Sequence, residues 1–202
     1  MLSYRTILKH CRRYATIGRD NADWYHVARD VLGRIAQFRG WDYGTWADTV
    51  SVCSPRTSVT RNLRIAYRAM SGGQLPDDVI RSTRAALRYY ETTKIIRGPK
   101  TSRFAKVLRG TDNIVVVDTW MARALSVEDL AARNRTTQAL AERVIGLVAK
   151  DHDCCLSDAQ AMVWAGVIRT LQPRGNVPNY RAEDIGLFSD VLPDGRLSDV
   201  PF

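Results

Sequence analysis

"RSTRAALRYYETTKIIRGPKTSRFAKVLRG" occupies residues 81–110. Two helical patterns are separated here by a stretch that a helix tolerates poorly. Val79, Ile80, Leu87 and Tyr90 fall on one side of a helix predicted over 76–90. Gly98 can adopt a positive φ and let another backbone approach closely. Pro99 suits the first turn of a second helix, expected over 101–108. The segment therefore reads as helix, tight turn, helix. Amides left open at the start of the second helix form a ready site for a phosphate.

Outward from this segment the pattern stays helical. Apolar residues at 24, 27, 28, 31, 32, 35 and 38 stripe a helix over 21–39, which Gly40 and the aromatic residues Trp41, Tyr43 and Trp46 interrupt. Ser54-Pro55 is expected to open another helix, with Val59, Leu63, Ala66, Tyr67 and Met70 inward and Ser71-Gly72-Gly73 at its end. Residues 137–149 are amphipathic. Ser157 and Gln160 have capping-box spacing, predicting a helix that runs to about Leu171. Only Ile114–Val117 looks strand-like, and four such residues among helices are expected to be a buried extended connector. The fold predicted is all-α: a compact two-lobed helical bundle with a helix-hairpin-helix motif. One helical domain is expected over 1–172, with an irregular tail over 173–202 packed on it.

The 202 residues are 45 % hydrophobic, the composition of a folded globular chain. No run approaches the roughly 18 apolar residues that span a membrane. The N-terminal MLSYRTILKHCRR lacks the apolar core of a secretion signal, so a cytoplasmic protein is expected. Cys11, Cys53, Cys154 and Cys155 have neither metal-ligand nor disulfide-scaffold spacing, which points to buried thiols and no metal. Charge is concentrated: residues 1–55 carry +3, 56–109 carry +10 and 110–202 carry −4. Such asymmetry is the footprint of a polyanion-binding surface, and double-stranded DNA is the expected partner of a monomer.

Only five of the thirty basic residues are lysines, and one of them, Lys100, directly follows Gly98-Pro99. Arginine is the better phosphate clamp, but only lysine can lose a proton and attack carbon. The positive end of a helix dipole and partial burial would both favour its neutral amine. Eighteen positions later Asp118 closes the apolar run, where it can cap a helix and also face a cationic transition state.

Gly98-Pro99-Lys100-Thr101-Ser102, followed by Val117-Asp118-Thr119-Trp120-Met121-Ala122-Arg123, resembles the helix-hairpin-helix DNA glycosylases of the endonuclease III type. Their hairpin ends in G-x-K-[TV]-A, and an apolar run ends in V-D-T-H-x-x-R. Ser54-Pro55-Arg56-Thr57-Ser58, with Asn62, is similar to their S-x-Q-T-[ST] segment, which helps hold the opened duplex. Three departures stand out: Ile96 where the hairpin carries its first glycine, Arg56 for Gln, and Trp120 for His. The tail lacks the cysteine pattern of an iron–sulfur cluster.

The resemblance implies a DNA glycosylase that also has lyase activity at abasic sites, with Lys100 as Schiff-base nucleophile and Asp118 as essential carboxylate. It also implies DNA contacts from Arg56, Arg61, Arg97, Gly98, Thr101, Arg103 and Arg123. Two other functions fit the same residues. One is a base-modifying enzyme of the same superfamily; the other is a non-catalytic DNA-binding module.

Overall fold

Short polar side chains start most of the helices. Ser3 accepts the Thr6 N–H ahead of α1 (Tyr4–Ile17), and Asp42 accepts that of Thr45 ahead of α3 (Tyr43–Cys53). Ser58 does the same for α4 (Val59–Met70), Asp118 for α7 (Thr119–Ala124) and Asn134 for α8 (Arg135–His152). Each bond satisfies a donor that the helix itself leaves open. The remaining helices are α2 (Trp24–Arg39), α5 (Arg81–Thr93), α6 (Pro99–Arg109) and α9 (Leu156–Leu171). The structure is a computed structural model that describes residues 2–127, 134–173, 177, 178 and 180. Among these residues it is all-α, with one short 3₁₀ turn at Arg19–Asn21 and no strand.

The chain divides into two units, 1–26 with 110–177 and 27–109 with 178–202. In the first, α1, α7 and α8 pack on α9 around Cys11, Val117, Met121, Val144, Ile145 and Val163. Two glycines let α1 and α9 meet backbone to backbone. A Cβ on Gly166 would overlap the Tyr14 carbonyl and lie 2.7 Å from Tyr14 Cα; one on Gly18 would overlap the Met162 carbonyl. Because the obstacle is backbone, it cannot rotate away. Gly166→Ala should therefore cost about 3 kcal/mol, the upper end of the usual overpacking penalty. Urea unfolding measures this directly, and a loss below about 1 kcal/mol would show that the crossing can relax.

In the second unit α3 is the hub, with α4, α5 and α6 all packed on it. Eight consecutive residues, Trp46 to Cys53, are buried. The hydroxyls of Thr49 and Ser51 are satisfied by their own i−4 carbonyls, at 2.8 Å and 2.9 Å. Without an exposed polar face, α3 has no amphipathic signature.

Asp48 is the one acidic side chain of α3, and it is 8 % exposed. Tyr90 donates its hydroxyl to Asp48 Oδ2 at 3.0 Å, and Arg109 Nε stands 3.4 Å from Oδ1. That second approach is an ion pair by distance, but it is too poorly aligned to be a hydrogen bond. Burial pushes the Asp48 carboxyl up, against the pull of Arg109 and Tyr90. Between its unfolded and folded pKa the folded state holds more protons, so stability falls as pH rises through that window. Asp48→Asn removes the titration while keeping an acceptor for Tyr90. Its stability relative to the parent should rise from pH 4 to pH 7 in urea titrations. A relative loss at pH 7 would show that the Arg109 attraction outweighs burial.

Several boundaries differ from the sequence reading. Ser54-Pro55 does not open a helix; the start lies at Ser58, and Arg56 between them takes φ 57°. Pro76–Val79 forms a turn closed by Val79 N–H to the Pro76 carbonyl, so α5 begins later, at Arg81, and leaves Ile80 40 % exposed. Phe38, read as inward, is 50 % exposed. Ser157 is not an N-cap. Cys155 holds that position, and Asn113 Oδ1 supplies the cap from elsewhere in the unit by accepting the Ser157 N–H at 3.1 Å.

The extended connector is buried at Val115, Val116 and Val117, as expected. Of the tail, Tyr180 is described. It is 1 % exposed and hydrogen-bonds to Asn62, while 181–202 lie outside the described residues.

Candidate functional site

Lys100 lies in the first turn of α6, in the second unit. The turn before it is built from two left-handed residues. Lys94 ends α5 at φ 56°, and Gly98 stands at φ 95° just before Pro99. Gly98 also accepts the Ser102 N–H at 3.0 Å, the first hydrogen bond of α6. Ile96 is not among the positive-φ residues, so this turn makes no demand for glycine there.

Lys100 is half-buried. Its Nζ donates to Ser54 Oγ at 2.7 Å and lies 4.9 Å from the ring centroid of Phe104, one helical turn on. The ammonium is thereby fixed by a hydroxyl on one side and an aromatic face on the other. Ser54 begins the 54–58 loop. The two second-unit segments that carry the resemblance, 54–58 and 98–102, are thus joined by this hydrogen bond.

Arg56 and Arg61 line one small pocket with Cys53, Ser58, Val79 and Thr83. Its volume is about 150 Å³, below the 300 Å³ or so at which small-molecule sites begin. Arg61 is held there by the Asp78 carboxylate at 2.5 Å. Arg97 is exposed at the turn, its guanidinium 3.4 Å from the centroid of the Tyr89 ring. Arg103 is half-buried on α6. Thr101 is 9 % exposed, so its side chain is turned largely inward.

Not all of the positive charge in 56–109 is available to a partner. Arg84 serves the carbonyls of Pro76 and Val79, and Arg109 faces Asp48. Arg64, Arg68, Arg81 and Arg88 are exposed on α4 and α5.

Asp118 belongs to the first unit, and its carboxylate is held at both ends. Oδ1 accepts the Met121 N–H at 2.8 Å, capping α7. Oδ2 accepts the Trp164 Nε1–H at 3.2 Å.

The connector that delivers Asp118 is fixed by side chains in place of a partner strand. Gln160 accepts the Val116 N–H at 2.7 Å and donates to the Val116 carbonyl at 3.0 Å, while Gln138 donates to the Val115 carbonyl at 3.0 Å. Gln160 is thus a backbone clamp and not half of a capping box. Arg123, on the same short helix, is exposed and lies 4.7 Å from the ring centroid of Trp120. Trp164 stacks at a tilt on Trp24 with 5.4 Å between centroids, so it is both a packing residue and a donor to Asp118.

The thiols offer little chemistry. Burial pushes Cys11 and Cys53 up to about 12, far from a reactive thiolate at neutral pH. Among the described residues no three His, Cys, Asp or Glu side chains group as a metal site requires. Nor is any helix among them long and apolar enough to cross a membrane.

An all-α protein of two units is thereby defined, with a lysine fixed at a helix start in one and a doubly held aspartate in the other. The chain belongs to a family of unknown function (DUF7178), whose model matches residues 13–172. That match takes in both Lys100 and Asp118. No curated protein and no solved structure matches the chain.

Proposed function

We propose that this protein is a DNA glycosylase that also cleaves at the abasic site, with Lys100 as nucleophile and Asp118 as the supporting carboxylate. The observation that carries the reading is the Lys100–Ser54 hydrogen bond, which ties together two of the segments on which the resemblance rests. A base to be removed is first turned out of the duplex, at a cost of a few kcal/mol that is least for a damaged pair.

The Lys100 ammonium first gives up a proton to water, and the neutral amine then bonds to the sugar C1′ as the bond from C1′ to the base breaks. The base leaves with the electron pair and takes a proton. Asp118 stabilises the positive charge that grows on the sugar during this step. The C1′–O4′ bond then breaks, O4′ takes the electron pair and the remaining nitrogen proton, and an imine between lysine and C1′ is left. Removal of a C2′ proton expels the 3′ phosphate, and water then releases the lysine. The residues in these roles need no metal or organic cofactor.

The test is incubation with a panel of modified-base duplexes in the presence of borohydride. Reduction of the imine leaves a covalent protein–DNA adduct on the cognate substrate. Base release without an adduct on any duplex would remove lysine catalysis from the reading.

A base-modifying reaction and a non-catalytic DNA-binding module are the other readings, and Ile96 favours both alike. At the first hairpin-glycine position φ is not positive, so close phosphate approach there is not built in. Product DNA with added mass and no abasic site would select base modification, and DNA that is bound but unaltered would select the binding module.

A further inference from the structure

We propose that the outward face of α1 is a second DNA-backbone-binding surface, carried by the first unit. The inference rests on the DNA reading above, and it concerns residues that reading does not use. Ile7, Cys11 and Ala15 recur every four residues and are buried. On the opposite side Arg5, Lys9, Arg12, Arg13 and Thr16 are all exposed. At 100° per residue these five positions fall within an arc of about 100° on one side of the helix.

No acidic residue occurs between Arg5 and Arg13. Arg12 is neutralised by Asp151, with Nε to Oδ2 at 2.7 Å. Arg5, Lys9 and Arg13 make no ion pair among the described residues. Arg5 to Lys9 and Lys9 to Arg13 are like-charge i,i+4 pairs, which destabilise a helix unless an anion lies against them. Arg143, over the ring of Tyr4 at 4.5 Å, brings further positive charge to the start of α1.

The occupant follows from what α1 has already spent. A basic amphipathic helix can bind a membrane surface by inserting its apolar side. Here that side is closed against α9, at the Gly18 and Gly166 crossing where backbones meet. Only the charged face remains, so binding is electrostatic and needs a dense, regular polyanion. From Arg5 to Arg13 the helix rises about 12 Å, a length of duplex that presents about seven phosphates.

The experiment compares the full chain with an R5Q/K9Q/R13Q variant on an unmodified 30-base-pair duplex across a salt series. Circular dichroism checks that both are folded. Three lost phosphate contacts should lower the slope of log K against log salt by about two to three. Affinity should weaken uniformly across sequences, with thermal stability unchanged or slightly higher because like charges are gone. An unchanged slope in a variant that still binds DNA would overturn this surface and leave the glycosylase reading standing. Failure of the parent chain to bind any duplex would overturn both. Tighter binding of the parent to anionic vesicles than to DNA would overturn the occupant.

Discussion

Asp118→Asn should slow base release by about 10²- to 10⁴-fold while leaving the fold in place. The magnitude is that of removing one well-placed charge or proton acceptor from a reaction centre. The fold should survive because Asn caps helices as well as Asp does, and its carbonyl oxygen can keep the Met121 N–H. The other end of the side chain is where the cost falls. In Asp118 that oxygen accepts from Trp164 Nε1–H at 3.2 Å, whereas the Asn amide would present a donor to a donor.

Trp164 is half-buried, so water can take over its N–H, and the penalty should stay near the 1 kcal/mol of one neutral hydrogen bond. Single-turnover base release and urea unfolding, measured on the same preparation, separate the two effects. Trp164→Phe is the control: it loses the donor, keeps a ring against Trp24 and leaves the carboxylate charge. Its rate loss should be well below that of Asp118→Asn. Wild-type turnover in Asp118→Asn would reduce Asp118 to a helix cap.

Much of the fold was legible because amphipathic stripes survive in the linear sequence. The stripe of Leu63, Ala66 and Tyr67 identified α4, and that of Val144 and Val148 identified α8. The start of α4 was misplaced because Ser54-Pro55 imitates a helix opening, while the Ser58 cap sits four residues on, behind a left-handed Arg56. The hub helix α3 was missed for a different reason. It is buried all round, and its polar residues hide their hydroxyls in their own backbone, so no period stands out. Gln160 satisfied a local capping rule and was spent on a distant one, the backbone of Val116.

The candidate site divides along the same line. The places of Gly98, Lys100 and Asp118 could be read from spacing, since a turn, a helix start and a cap are local devices. Their partners could not. Ser54 meets Lys100 across 46 residues, and Trp164 meets Asp118 across 46. Ser54 reads in the linear sequence as helix punctuation, and only the folded chain brings it to Lys100.

Lys100→Arg is the measurement that tests the central claim most directly. Arginine keeps the positive charge, can still donate to Ser54 and can still lie over Phe104, but it cannot give up its proton to become a nucleophile. DNA affinity and its salt dependence should therefore stay close to those of the parent. Borohydride trapping and base release should both be lost, as they should in Lys100→Ala. If Lys100→Arg alters DNA at the parent's rate, then Lys100 is a phosphate clamp and the covalent mechanism is wrong.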